Sequence, residues 1–341
     1  MSMGSQPGSR KEPVAVLGAG SWGTALAILI ARNNLEVKLW GHDSAHIDQL
    51  ARDRANHRFL PGHSFPKNLT LTDEIGNLGG LSQFLIVVPS HAFRGLCEQI
   101  EELSSNRAGK VVAWGTKGFE PGSGKLLGEV AVEVCGDDAQ LAAVSGPSFA
   151  AEVAAGLPTA LTVAATSEVV SSQVANWLHS DRMRVYTNPD LTGVQLGGAI
   201  KNVMAIATGI SDGLGFGANA RAALVTRGLA ELKRLGEALG GRSETFMGLT
   251  GMGDLILTCT DDQSRNRRLG LGLGRGESLG TILTNLGQEV EGINTARELK
   301  RLNESLKVSM PIIDQVYRVL FADCPPIEAV DALLSRELRS E

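Results

Sequence analysis

The segment Val14-Ala15-Val16-Leu17-Gly18-Ala19-Gly20-Ser21-Trp22-Gly23-Thr24-Ala25 constrains the fold of this 341-residue chain more than any other. A short apolar run enters a G-x-G-x-x-G turn, and the turn opens directly into an apolar helical stretch. Gly18 allows a tight exit from the strand, Gly20 lets a pyrophosphate approach the backbone, and Gly23 lets helix and strand pack closely. The free N–H groups at the start of the helix then face the phosphates, aided by the positive end of its dipole. In a chain with 41 glycines such a triplet is not specific by itself; its position makes it so. It follows a polar tail, and the next apolar run, Val37-Lys38-Leu39-Trp40, arrives at the spacing of a βαβ unit.

The length suits two domains, because single hydrophobic cores stop growing at roughly 250 to 300 residues. From Pro13 to about Tyr186, short β-rich runs alternate with helical stretches, the pattern of an open α/β sheet. Strands are predicted at 14–17, 37–40, 84–88, 111–114, 142–145, 160–165 and, more weakly, 184–186. Beyond Asn188-Pro189 the texture is helical, with helices predicted over 191–210, 218–239, 292–302 and 311–321. Asn188 reads as the N-cap and Pro189 as the first residue of the first of these. The expected organisation is therefore an α/β chain: a loose tail over 1–12, a Rossmann-type dinucleotide-binding domain over 13–188 and an all-helical domain over 189–341. Glycines 270, 272, 274 and 276 read as a mobile loop.

No run reaches the ~18 apolar residues a membrane helix needs, and the first dozen residues lack the apolar centre of a secretory signal. The four cysteines, Cys97, Cys135, Cys259 and Cys324, form no C-x-x-C pair, which argues against a zinc site or a disulfide framework and fits a reducing cytosol. A formal net charge of −5 offers nucleic acid no broad attraction, so any phosphate site has to be local.

Several residues stand out as candidates for chemistry. Lys201 sits in an apolar helical stretch, GGAIKNV, where an ammonium must either find a partner, reach solvent along its stem, or lower its pKa, and the last suits proton transfer. Lys117, between Gly115 and Gly118, follows a strand at the sheet edge where ligands bind. Gly146-Pro147-Ser148 is a glycine–hydroxyl loop that reads equally as a phosphate contact or a helix cap. Asp254, among glycines, is placed either to cap a helix or to pair with Lys201. Gln263-Ser264-Arg265-Asn266-Arg267-Arg268 reads as an anion cradle or a solvated charge run.

Taken together and in order, GAGSWGTALA, WGTKGF, SGPSFA, GGAIKNV, TGMGDLILTC and SRNRRLG resemble the bacterial-type NAD(P)-dependent glycerol-3-phosphate dehydrogenases, from Pro13 to the end of the helical half. The resemblance implies reversible reduction of dihydroxyacetone phosphate to sn-glycerol 3-phosphate, the backbone of glycerophospholipids. It implies Lys201 as proton donor and acceptor. Substrate contacts are implied for Lys117, Gly146, Ser148, Lys201, Asp254, Ser264, Arg265 and Asn266. Cofactor contacts are implied for Ser21, Trp22, His42, Lys117, Ala150, Arg265, Glu289 and Glu291, alongside Gly18, Gly20 and Gly23. A cytoplasmic homodimer without metal is expected. The second strand ends in His42 where NAD-preferring domains place an acid, which makes NADPH the first choice, while the adjacent Asp43 keeps NADH open. The alternatives are a related hydroxy-acid reductase with the same two-domain plan, and a non-catalytic dinucleotide sensor. The second has no use for Lys201, Lys117 and Asp254 together.

Overall fold

In the computed structural model, residues 12–103 and 109–336 are described. The tail expected over 1–12 lies outside them except for Glu12, whose carboxylate accepts hydrogen bonds from Ser82 and Gln83.

Eight strands form one sheet: β1 (Val14–Leu17), β2 (Val37–Trp40), β3 (Leu69–Thr72), β4 (Gln83–Ile86), β5 (Val111–Trp114), β6 (Gln140–Ser145), β7 (Thr159–Ala165) and β8 (Met183–Asn188). Their spatial order is β8-β7-β6-β5-β4-β1-β2-β3, and every neighbouring pair is parallel except β6 with β7. The six strands from β3 to β6 have the order of a doubly wound dinucleotide-binding sheet. Helices cover both faces, so the central strands are apolar throughout; β1, VAVL, is wholly buried. The chain reverses direction across the sheet between β1 and β4, and the crevice beyond their carboxyl ends is where such sheets receive ligands.

Each sheet strand anticipated from sequence is present, three of them one to three residues longer, while the one expected over 84–88 runs from Gln83 and stops at Ile86. Strand β3 was not anticipated. Its sequence, LTLT, is four residues between Asn68 and Asp73 at the sheet edge, too short for a periodicity signal. A small antiparallel ribbon, Ala55–Asn56 with Leu60–Ser64, was missed for the same reason.

Beyond Asn188 every regular element is helical among the described residues. The helix Leu191–Gly213 runs through the middle of this half and is buried on nearly all sides, consistent with its lack of a polar face. Its start differs from expectation. Asp190 is the N-cap, its carboxylate accepting from Gly193 N at 2.8 Å, and Asn188 instead accepts from Asp190 N in a turn one step earlier. Pro189 thus precedes the helix, and the cap falls to the next residue with a side-chain acceptor.

The glycine-rich stretch expected to be a mobile loop is helical over Arg265–Gly274. Its glycines serve packing. A Cβ on Gly270 would lie 2.1 Å from Ile206 O and one on Gly274 2.4 Å from Ile210 O. In return, a Cβ on Gly209 would lie 2.2 Å from Arg267 O and one on Gly213 2.5 Å from Leu271 O. Four glycines spaced by one helical turn therefore let the two helices touch backbone to backbone. This contact brings the segment after Ser264 alongside Lys201.

Candidate active site

A cavity of about 630 Å3 lies between the carboxyl edge of the sheet and the helical half. One end is the glycine turn. Gly18 has φ +127°, and a Cβ there would lie 2.2 Å from Val87 O; a Cβ on Gly23 would lie 1.9 Å from Gly18 O. Both residues must be glycine for the turn to close, whereas Gly20 faces open space. The helix Ser21–Arg32 begins without a side-chain cap and without an acid in its first turn. Its first N–H groups are left for an anion. Trp22 Nε1 is buried without a hydrogen-bond partner among the described residues. Open turn and uncapped helix fit the diphosphate of a dinucleotide.

The other end is a charged cluster. Asp254 is 1% exposed, and its two carboxylate oxygens divide between two lysines: Lys201 Nζ donates to Oδ1 at 2.5 Å and Lys117 Nζ to Oδ2 at 2.7 Å. Lys201 also donates to Thr258 Oγ1 at 2.9 Å. Lys201 is 6% exposed, so the solvent-reaching alternative is excluded by its position. Burial pulls its pKa down to about 7, helped by Lys117 and opposed by Asp254. Lysine and carboxylate are held by different elements. The central helix carries Lys201, and Asp254 begins the helix Asp254–Thr260 after a π turn over Leu249–Gly253. That turn is pinned where Thr250 Oγ1 donates to Val194 O at 2.8 Å and lies 2.9 Å from Ser145 Oγ.

Lys201, Lys117 and Thr258 line the cavity while Asp254 stands behind them. Gly146 is also behind the wall, its carbonyl accepting from Lys117 at 3.4 Å and from Ser148 Oγ at 3.1 Å. Ser148 and Ala150 line the cavity.

The segment 264–268 divides by role. Ser264 caps its helix, accepting from Arg267 N at 3.2 Å. Arg265 donates to Glu289 O at 2.8 Å. The Asn266 amide donates to Asn202 Oδ1 at 3.0 Å and accepts from Gly292 N at 2.9 Å, tying three helices together. Arg267 is turned away, paired with Asp212 at 2.5 Å and Asp262 at 2.8 Å. Ser264, Arg265, Asn266 and Arg268 line the cavity. The solvated-run alternative thus fails for all but Gln263 and Arg268, the two exposed members.

Glu291 and Glu289 close the remaining side. Glu291 reaches from the helical half to accept from Ser90 N at 3.2 Å and Ser90 Oγ at 3.1 Å. Burial and the neighbouring Glu289 push its pKa up to about 7. Glu289 lies 3.4 Å from His91 Nδ1. Of the residues to which the resemblance gives a role, Gly23, Gly146 and Asp254 support the wall, and the others form it, His42 included. Among the cavity residues given no role in the sequence reading are Arg58, Phe59 and Thr258. Thr258 lies one helical turn after Asp254, a spacing that could have revealed it; Arg58 and Phe59 sit in the unanticipated ribbon and had no comparable signal.

Comparison with known proteins fits this geometry. Residues 13–171 match the family model for the NAD-dependent glycerol-3-phosphate dehydrogenase N-terminus, and residues 190–331 match that for its C-terminus. The glycerol-3-phosphate dehydrogenase, NAD(P)+, of Thioalkalivibrio sulfidiphilus is 56% identical over 331 residues, covering 96% of this chain and 98% of that one. The crystal structure of glycerol-3-phosphate dehydrogenase from Coxiella burnetii superposes with a TM-score of 0.93 at 46% identity, over 96% of this chain and all of that one. A D-mandelate dehydrogenase in complex with NADH, 12% identical with a TM-score of 0.60 over 91% of this chain and 98% of its own, shares the fold alone. With both halves matched in order and a relative more than half identical along nearly its full length, this chain belongs to the NAD-dependent glycerol-3-phosphate dehydrogenase family.

Proposed function

We propose that this chain catalyses the reversible reduction of dihydroxyacetone phosphate to sn-glycerol 3-phosphate, with Lys201 giving the proton in reduction and taking it in oxidation. The observation that carries the reading is a single one. A buried lysine, its pKa brought to about 7, lines the same cavity as an uncapped glycine turn built for a diphosphate.

When bound, the nicotinamide supplies the hydride that reaches C2. Negative charge then develops on the ketone oxygen, and a group that both neutralises it and delivers a proton lowers the barrier most. Lys201 Nζ does both. Near neutral pH it is divided between its two forms, which suits either direction of the reaction. Asp254 orients the amine, and Lys117 adds a second positive charge beside it. Arg265, Arg268, Ser264 and Asn266 sit where a phosphate remote from the reacting carbon would be held, so that its binding energy orients C2.

NADPH is the preferred cofactor in this reading, because the only acid at the end of β2, Asp43, is engaged as a helix cap that accepts from His46 N at 3.1 Å. The family also suggests a cytoplasmic homodimer whose product feeds glycerophospholipid synthesis. The test follows loss of reduced-nicotinamide absorbance with purified protein, comparing dihydroxyacetone phosphate with dihydroxyacetone and NADPH with NADH. Rapid turnover that requires the phosphate is the expected result. Equal rates with both ketones would refute the phosphate assignment, and no oxidation despite NADPH binding would refute the reaction.

A further inference from the structure

The far end of the cavity, beyond β2, contains a cation that nothing in the reaction uses. We propose that Arg58, at the tip of the ribbon between Ala55–Asn56 and Leu60–Ser64, recognises the 2′-phosphate of NADPH and, with His42, makes the chain select the phosphorylated dinucleotide.

In a sheet of this order the adenosine ribose lies past the carboxyl end of the second strand. Here that strand ends at Trp40, and His42 and Asp43 follow it on the cavity wall. Asp43 spends one carboxylate oxygen on the cap at His46 N. The ring of His46 meets that of Phe59 edge to face, with centroids 5.1 Å apart. Arg58 adjoins Phe59 and lines the same cavity. Asp43, His46, Phe59 and Arg58 are thus one continuous stretch of wall.

This stretch is also held in register with the diphosphate turn. Asn56 is completely buried, and its amide donates to Ala19 O at 3.0 Å, inside the glycine turn, and to Thr24 Oγ1 at 2.8 Å, in the first helix. Its Oδ1 accepts from Phe59 N at 3.1 Å. One side chain therefore ties the ribbon tip to the turn that holds the diphosphate.

Arg58 itself is stacked on its neighbour. Its guanidinium lies over the Phe59 ring, 4.7 Å from the centroid, and among the described residues it makes no ion pair. Stacking fixes the plane of the fork while leaving its N–H edges free, the arrangement that suits two parallel bonds to a phosphate. A ribose bearing only hydroxyls gives such a fork little to bind. Its charge is then paired only when a 2′-phosphate is present.

This inference rests on the NADPH preference proposed above, and the experiment separates the two. The full chain and its Arg58→Ala and Arg58→Lys variants are titrated by calorimetry with adenosine 2′,5′-bisphosphate and with 5′-AMP, which report binding without turnover. The unaltered chain should bind the bisphosphate more tightly. Arg58→Ala should weaken the bisphosphate by about 10- to 100-fold and 5′-AMP by less than about 3-fold, as expected for loss of a charge-assisted pair. Arg58→Lys should recover part of the loss, because a lysine keeps the charge without the fork. The ratio of kcat/KM for NADPH to that for NADH should fall in parallel. Equal binding of the two ligands by the unaltered chain would overturn the NADPH preference and the role of Arg58 together. Discrimination that survives Arg58→Ala, or an equal loss for both ligands, would overturn the role of Arg58 alone.

Discussion

Replacing Asp254 with asparagine removes a charge from beneath two lysines and changes little else in shape, so it tests whether Lys201 is the group that titrates. The carboxylate accepts from Lys201 at 2.5 Å and from Lys117 at 2.7 Å, and it is the main influence opposing burial on Lys201. A hydrogen bond to a charged group contributes about 1.5–3 kcal/mol net, and one pKa unit corresponds to about 1.4 kcal/mol. Asp254→Asn should therefore lower the Lys201 pKa by about 1–2 units from its value of about 7. Reduction requires the protonated amine. Its kcat/KM for the ketone, which at saturating cofactor reports the protein–cofactor complex before the ketone binds, should fall with rising pH through a limb near 7 in the unaltered chain and about 1–2 units lower in the variant. Oxidation requires the free amine, so its acid limb should move down by the same amount. The assay is kcat/KM in both directions at saturating cofactor from about pH 5 to pH 9. Removing one partner of a buried pair also costs stability, about 3–5 kcal/mol where the lysines stay charged, and thermal melts at each pH separate that loss from the kinetic one. Thr258→Val is the milder companion. It deletes a neutral acceptor of Lys201 and should shift both limbs down by less than about 1 unit. Limbs that stay in place in both folded variants would refute the assignment of the titrating group to Lys201.

Two further outcomes follow from the packing of the helical half. Gly270→Ala puts a Cβ 2.1 Å from Ile206 O, so overpacking of about 3 kcal/mol should exceed the roughly 1 kcal/mol gained in helix propensity. Gly280→Ala, whose Cβ meets nothing within 4 Å, should be neutral or stabilising, and denaturant melts giving the two variants equal stability would disprove the backbone-contact reading. Glu231, 2% exposed, accepts from Ile312 N at 2.8 Å and Ile313 N at 3.2 Å, yet burial raises its pKa from 4.5 to about 7. The folded chain then holds a proton that the unfolded chain has released, so this group's contribution is complete below 4.5 and is lost as pH rises to about 7, by on the order of 3 kcal/mol. Glu231→Gln should flatten that part of the stability–pH curve; an unchanged slope between about pH 5 and pH 7 would contradict it.

Local chemistry made much of the molecule legible in the chain itself. The G-x-G-x-x-G turn, the apolar strands on either side of it and the shift to helical texture after Asn188 depend on residues close together in sequence. Such residues settle backbone geometry without reference to distant partners. The ordered motifs likewise marked Lys201, Lys117, Asp254 and the segment from Ser264. The sequence could name these residues, but not their relations. Asp254 divided between two lysines, Asn266 joined to Asn202, and Arg267 turned away toward Asp212 are contacts between distant elements. The glycines at 270 and 274 looked like a loop because the partner that makes them useful, the helix bearing Gly209 and Gly213, lies some sixty residues earlier. Arg58 carried no signal because its ribbon is too short for periodicity and gains its place only through Asn56 and the glycine turn. The pKa of Lys201 belongs to the same class. An amine's proton affinity is set by what surrounds it, and only the packed chain supplies the burial and the two opposing charges that bring it to about 7.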